Sequence, residues 1–379
     1  MKILHLLSNL RENDGANTAC CRMAQQQAEA GLAVTLASAT PPPADATMVP
    51  RAAAAGVDVQ SLPLNAAGQR DSADAFSVWI KPLLETHDVL HVHGLWDGVQ
   101  AQSAKLAGQL GRPHVLSPHG MLTTWSLNQK RLKKLIYRKL QLGPLIRNAH
   151  GLHFTTEQER DDSPTAHAAD RSLIIPLGQD VDAIVDAAEQ PWDDPRNDPG
   201  RPTVAVMGRV CPGKGIEHLI AAMVSIKPAD ARLLVIGPND NPFGEDMQAL
   251  ADNCGVADNV VFTGPLAPPT LYAALASADV FCLPSDHENF SLAAVEAMAC
   301  GTATLVSAHV GIADALSAER AGAIVSQNPA ELAQSLSDWL ADQTGRQRLA
   351  ETGRAFVRRR YDKAIVAQQW ADAYAKITA

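Results

Sequence analysis

Short apolar runs that alternate with amphipathic segments set the tightest limit on how this chain can fold. In the first half they are Ile3 to Leu7, Val34 to Ala37, Val89 to Val92, His114 to Leu116, Leu152 to Thr155 and Leu173 to Pro176. Unbroken apolar stretches of this length suit strands covered on both faces, with the intervening helices as the cover. The rhythm is that of a parallel α/β sheet. It lapses over the Pro, Asp and Gly-rich stretch Gln190 to Pro202, then restarts. The later runs are Val204 to Met207, Leu233 to Ile236, Val260 to Thr263, Val280 to Leu283, Thr304 to Ser307 and Ala323 to Ser326. At 379 residues the chain exceeds the usual size of a single core, so two domains of about 180 residues are expected. The boundaries are placed to give a first domain 1–187, a second 188–361 and a tail 362–379. Ile365, Trp370 and Tyr374 recur at roughly helical spacing in that tail, which predicts a docked amphipathic helix.

Composition narrows the chemistry. A net charge of −9 argues against nucleic acid as a partner, because phosphate binding needs a broadly basic face. The six cysteines lack zinc-type spacing and several lie in apolar runs, as free thiols in a reducing cytosol do. The start, Met1 to Ser8, is strand-like and lacks the basic opening and cleavage site of a signal peptide. No stretch approaches the ~20 apolar residues needed to span a bilayer.

Two segments of the second half carry candidate chemistry. Gly208-Arg209-Val210-Cys211-Pro212-Gly213-Lys214-Gly215 follows one strand and leads into a helix, an arrangement that binds anions. It matches a Walker A loop up to Gly215, which stands where that motif needs the Ser or Thr that holds magnesium. Arg209 and Lys214 could neutralise a diphosphate without a metal, one as a planar fork and one as a point charge. Glu288 follows the Val280 to Leu283 run, and Glu296 lies eight residues on in an Ala-rich helix. Helical side chains lean toward their own N-terminus, so the two acids can face one volume beside the helix dipole. The plainer alternative is a loop acid and a helix-end charge.

In the first half, His91-Val92-His93-Gly94-Leu95-Trp96 and Ser117-Pro118-His119-Gly120-Met121 each follow a strand, so both loops can face a cleft. His91, His93 and His119 could imitate a zinc set, but no spaced acid or cysteine completes it. From Gln129 to Gln141 six cations, Lys130, Arg131, Lys133, Lys134, Arg138 and Lys139, interleave with leucines at helical spacing. This helix either packs on its own domain or meets anionic lipid or a lipid-diphosphate acceptor.

Taken together, GRVxxxKG, LLVIGP at Leu233 to Pro238, NVVFTG at Asn259 to Gly264 and HENFSLAAVEAMACGT resemble the retaining group 1 (family 4) glycosyltransferases. The resemblance spans nearly all of the second half in the right order. It implies the GT-B arrangement: two Rossmann-like parallel-sheet domains facing a cleft, with a C-terminal helix packing back toward the first. A nucleotide-sugar donor, a hydroxyl acceptor and no cofactor or metal are implied. By position, Arg209 and Lys214 would hold the donor diphosphate, Glu296 the ribose hydroxyls and Glu288 the transferred sugar. Backbone N–H groups of Phe290, Ser291 and Leu292 would reach the distal phosphate. His119 resembles the family's active-site histidine, meeting the donor sugar or diphosphate as charge departs. His93 and Trp96 fall on the acceptor side. HGLW, SPHGM and the basic helix are similar to bacterial surface-polysaccharide enzymes, which implies a lipid-linked or surface glycan and a place at the inner membrane face. Asn289 and Ser291 depart from frequent glycines, and HVGIAD at Asp314 has one glycine where two are common. The usual paired glycines after the first strand become Asp14, Gly15 and Ala16, with Gly15 able to take φ > 0 there. Three other readings stand beside this one: a glycoside hydrolase, a nucleotide-sugar epimerase, and a non-catalytic sugar-nucleotide or membrane-binding scaffold.

Overall fold

A computed structural model describes residues 1–11, 15–44, 46–128 and 142–379. The chain forms two compact units. The first is Met1–Gly178 with Lys363–Ala379, and the second is Gln179–Asp362. The helix Val181–Ala188 therefore belongs to the second unit, ahead of the Pro-rich stretch where the composition changes.

In the first unit seven strands form one sheet in the order β3-β2-β1-β4-β5-β6-β7. They are β1 (Lys2–Leu7), β2 (Ala33–Ser38), β3 (Asp58–Ser61), β4 (Val89–His93), β5 (His114–Ser117), β6 (Gly151–Phe154) and β7 (Ser172–Ile174). All pair in parallel. Only β3 lacks an apolar run in the sequence: as an edge strand reading DVQS it is half exposed, so nothing selects for hydrophobic residues. The sheet's two faces differ. Leu4, Leu6, Leu90, Val92, Leu116, Leu152 and Phe154 pack into one wholly apolar core. On the opposite face Ile3, Val89 and Val115 pack under Met23, Trp370 and Tyr374, from the helices Gly15–Glu29 and Lys363–Thr378. Two residues further along the same strands this face turns polar, because His5 pairs in register with His91, and His93 with Ser117. In the last helix Trp370 and Tyr374 are buried as the spacing predicts, but Ile365 is exposed and Val366 takes the buried position.

The second unit holds six strands in the order β10-β9-β8-β11-β12-β13. These are β8 (Thr203–Met207), β9 (Arg232–Ile236), β10 (Val260–Gly264), β11 (Val280–Leu283), β12 (Ala303–Ser307) and β13 (Ala323–Val325). All are parallel, and β8, β9, β11 and β12 are buried almost throughout, as strands covered on both faces should be. Each sheet reverses its strand order once, between β1 and β4 and between β8 and β11. Open parallel sheets bind ligands just beyond the carboxyl ends of the strands at such a reversal.

Candidate active site

At the reversal of the second sheet, the loop after β8 and the loop after β11 are bonded into one structure. Lys214 Nζ and Glu288 Oε1 form an ion pair, with 25% and 17% of the two side chains exposed. Asp286 N–H donates to the Gly213 carbonyl at 2.9 Å, and Ser285 Oγ donates to Glu288 Oε1 at 3.3 Å. Glu288 is also tied to the loop after β12: its N–H donates to the His309 carbonyl at 3.1 Å, and its carbonyl accepts from Gly311 at 2.7 Å. Arg209 lies exposed in the first loop. Gly215, at φ +72°, explains why the Walker pattern stops short. A Cβ there would sit 2.2 Å from the Pro284 carbonyl oxygen, so no Ser or Thr can occupy the position.

The helix Leu292–Cys300 starts at this point. Ser291 caps it in the left-handed region, at φ +77°, with its side chain accepting from Ala294 N–H at 3.3 Å. A non-glycine residue there costs about 1–2 kcal/mol, which explains why glycine suits the position. Phe290 is buried against the edge of the Tyr361 ring, 5.1 Å between centroids. Leu292 opens the helix and is half-buried. Glu296, in the second turn, is buried at 4% exposure, whereas Glu288 stays at the surface with Lys214.

His119 lies beyond β5, one strand over from the reversal of the first sheet, and is likewise left-handed at φ +51°. Its turn is braced by Glu159, a buried carboxylate. Glu159 Oε1 accepts from Gly120 N–H at 2.7 Å, and Oε2 accepts from the Thr155 N–H and hydroxyl at 2.7 and 2.8 Å. His119 Nε2 bonds His93 Nδ1 at 2.9 Å, and His93 Nε2 bonds His5 Nδ1 at 2.8 Å. His5 Nε2 reaches Gln27 Oε1 at 2.9 Å, and Gln27 Nε2 donates to the Tyr374 hydroxyl at 3.2 Å. From Tyr374 the bonds run through His91 Nδ1 and Nε2 to Ser117 Oγ and on to His153 Nδ1, each at 2.6 Å. His153 Nε2 ends the series on the Ile175 carbonyl at 2.7 Å.

Removal from water disfavours the imidazolium, so burial pushes His5 and His119 down to about 4 and His153 to about 3. His91 and His93 lie well below the ordinary value for the same reason, with neighbouring histidines adding to it. All five are neutral at pH 7.

These positions revise several expectations. His93, expected on the acceptor side, is 1% exposed and spends both ring nitrogens on other histidines, so its contact is with His119. Trp96 is half-buried and packs against the apolar core of the opposite sheet face. Gly15 has no positive φ; it begins the helix Gly15–Glu29. His91 bonds Tyr374 and Ser117, so it does not join His93 and His119 in a zinc set. Among the described residues His5, Cys20 and His93 bring ligand atoms within 4.8 Å of one another. Within this group His5 Nδ1 and His93 Nε2 bond each other at 2.8 Å. The basic segment 129–141 lies outside the described residues. Sequence reading passed over His5, Gln27, His153, Glu159 and Ser285. The available signal was a histidine in mid-strand within the apolar runs KILHLL and GLHF, which a sheet buried on both faces does not otherwise tolerate.

Comparison with known proteins agrees with this geometry. Residues 190–356 match the family described as glycosyl transferases group 1, and residues 14–178 match the glycosyl transferase 4-like domain. The GDP-mannose-dependent α-(1-6)-phosphatidylinositol monomannoside mannosyltransferase of Mycobacterium tuberculosis is 28% identical over 312 residues, 78% of each chain. Among solved structures, Anabaena HepE in complex with UDP and glucose superposes with a TM-score of 0.77 at 17% identity, over 99% of this chain and 100% of that one. WaaG, a glycosyltransferase involved in lipopolysaccharide biosynthesis, gives 0.69 at 18% identity over 98% of both. Two Rossmann-like units, a cationic loop tied to an acidic one at the second sheet's reversal, and two adjoining domain matches identify the chain as a member of the group 1, family 4 glycosyltransferases of GT-B fold.

Proposed function

We propose that the chain is a retaining glycosyltransferase that moves a sugar from a nucleotide diphosphate donor to a hydroxyl acceptor during synthesis of a cell-surface or lipid-linked glycan. The observation that carries the reading is the joined pair of loops at the carboxyl ends of β8 and β11. They place a lysine, an arginine, two acids and a helix N-terminus at one ligand-binding edge. The donor class is supported by the UDP bound in HepE and the GDP-mannose used by the mycobacterial relative. The surface-glycan role is supported by the lipopolysaccharide role of WaaG.

Cleavage of the sugar–phosphate bond leaves negative charge on the distal phosphate. Arg209, Lys214 and the N–H groups of Phe290, Ser291 and Leu292 would bind that charge more strongly in the transition state than in the ground state. Glu288 pairs with Lys214 and holds it in place, and its carboxylate would meet a hydroxyl of the transferred sugar. Glu296 would serve the ribose. In this reading the two cations take the part a divalent metal plays elsewhere, so no metal is needed. As the family resemblance implies, His119 would contact a substrate, and the six cations of 130–139 would meet an anionic lipid surface or a lipid-linked acceptor. Incubation with UDP-, GDP- and ADP-sugars tests the whole. Release of nucleoside diphosphate with an axial-to-axial product anomer, unchanged by EDTA, is expected. An isomerised donor would establish an epimerase instead, and binding without turnover a scaffold.

A further inference from the structure

The hydrogen bonds that leave His119 have a direction, and one atom sets it. The Ile175 carbonyl can only accept, so His153 Nε2 carries the proton that faces it. His153 is neutral, so its Nδ1 is bare and accepts from the Ser117 hydroxyl. Ser117 Oγ, its proton spent, accepts from His91 Nε2–H. That leaves His91 Nδ1 bare, and the Tyr374 hydroxyl donates to it. Tyr374 oxygen then accepts from Gln27 Nε2, which turns the amide oxygen toward His5 Nε2–H. His5 Nδ1 accepts from His93 Nε2–H, and His93 Nδ1 accepts from His119 Nε2–H. Running the series backwards would put the lone pair of His153 Nε2 against the Ile175 oxygen at 2.7 Å, two buried acceptors with no proton between them.

We propose that this directional series fixes His119 as its Nε2–H tautomer, so that Nδ1 offers a lone pair to the substrates, and that Tyr374 is the remote positioning residue closing the series. The inference rests on the reading of His119 as a substrate contact. It gives the contact a polarity: a neutral imidazole whose one N–H points into the sheet accepts from a sugar hydroxyl and donates nothing to the departing phosphate. Tyr374 matters because it joins two halves. The half that ends on Ile175 is anchored, while the half from Gln27 to His119 receives its sense only through the Tyr374 hydroxyl. Without that hydroxyl the Gln27 amide is free to turn over, and with it the tautomers of His5, His93 and His119.

The full chain labelled with 15N-histidine gives the test, because long-range proton–nitrogen correlations tell a protonated ring nitrogen from a bare one. The His119 signal is assigned by its loss in His119→Asn. In the natural sequence Nε2 is expected protonated and Nδ1 bare. Tyr374→Phe keeps the ring and its stacking on Trp370, 5.2 Å between centroids, and removes only the oxygen. Both tautomers of His119 should then appear. Transfer efficiency, as kcat/KM, should fall about twofold if they become equal and about tenfold if the wrong one gains 1.4 kcal/mol. A protonated Nδ1 in the unsubstituted protein overturns the proposal, as does a single unchanged tautomer in Tyr374→Phe. A tyrosine that only packs would lower the melting temperature and leave the tautomer alone. The tautomer is read without substrate, so loss of the glycosyltransferase reading would show separately, as absent turnover in a protein whose His119 has the expected protonation.

Discussion

At the reversal between β1 and β4, and again at the reversal between β8 and β11, a parallel sheet brings polar residues to its carboxyl edge, but the two edges are built from opposite materials. The first is lined by neutral imidazoles bonded to one another, His5 and His93 buried and His119 partly buried. The second carries formal charges, Lys214 against Glu288 with Arg209 nearby, partly open to water. Burial explains the division. A charge taken fully out of water costs several kcal/mol unless it is paired, whereas a neutral imidazole needs only two hydrogen bonds. The first unit can therefore place its polar groups deep in the sheet and hold them by hydrogen bonds, and the second keeps its charges partly open to water. One edge is suited to orientation and the other to binding developing charge.

Acid should separate the two edges most widely. The folded-state values of His5, His119 and His153 lie below the ordinary one near 6.5, so the unfolded chain binds more protons between pH 6.5 and about 4. Stability is complete above that window and falls within it, by about 1.4 kcal/mol per pH unit for each histidine kept neutral. Hydrogen exchange at pH 7 and pH 5, corrected for intrinsic rates, should show β1, β4 and β6 losing protection while β8 and β11 keep theirs; equal loss in both sheets would break the distinction.

Lys214→Ala should lower turnover by about 10²–10³ with the donor KM little changed, since its charge is wanted chiefly in the transition state. A raised KM with normal turnover would reduce the second edge to simple binding. Gly215→Ala forces a side chain to φ +72° against the Pro284 carbonyl and should cost about 2–4 kcal/mol in urea unfolding of the second unit. An unchanged midpoint would show that the two loops do not need their close approach. The smallest effect is expected from replacing Lys130, Lys133 and Lys134 with Gln, at ~1 kcal/mol each in binding to anionic vesicles. Sedimentation unaffected by the change would remove the membrane from the account of the first unit.

The legibility of these features in the sequence follows the same division. Apolar runs betray β8, β9, β11 and β12 because those strands need hydrophobic residues on both faces, and they miss β3 because an edge strand does not. Lys214 and Glu288 stand out through local motifs, each a loop directly after a strand. The histidine series is not local. Its members come from β1, β4, β5, β6, the turn after β5 and two helices, and the register that sets His5 beside His91, and His93 beside Ser117, makes the strand residues neighbours. Nothing in a window around Gln27 or Tyr374 signals that each completes a hydrogen bond across the unit, 347 residues apart in sequence. The surroundings of His93 and Trp96 are hidden for a related reason: a loop motif shows that a residue leaves a strand end, not which sheet face receives its side chain.

The place of Tyr374 bears on how the protein is made. The helix Lys363–Thr378 follows the whole second unit in sequence, yet it belongs to the first. Domains emerging from a ribosome ordinarily fold in the order of synthesis. Here the first unit emerges with His91 Nδ1 and the Gln27 amide still lacking the hydroxyl that joins them, and with the Ile3, Val89 and Val115 face only partly covered. The second unit is complete within one continuous stretch. The half of the protein translated first is thus the half finished last, and on the proposed series His119 acquires a defined proton position only after the second unit has been made.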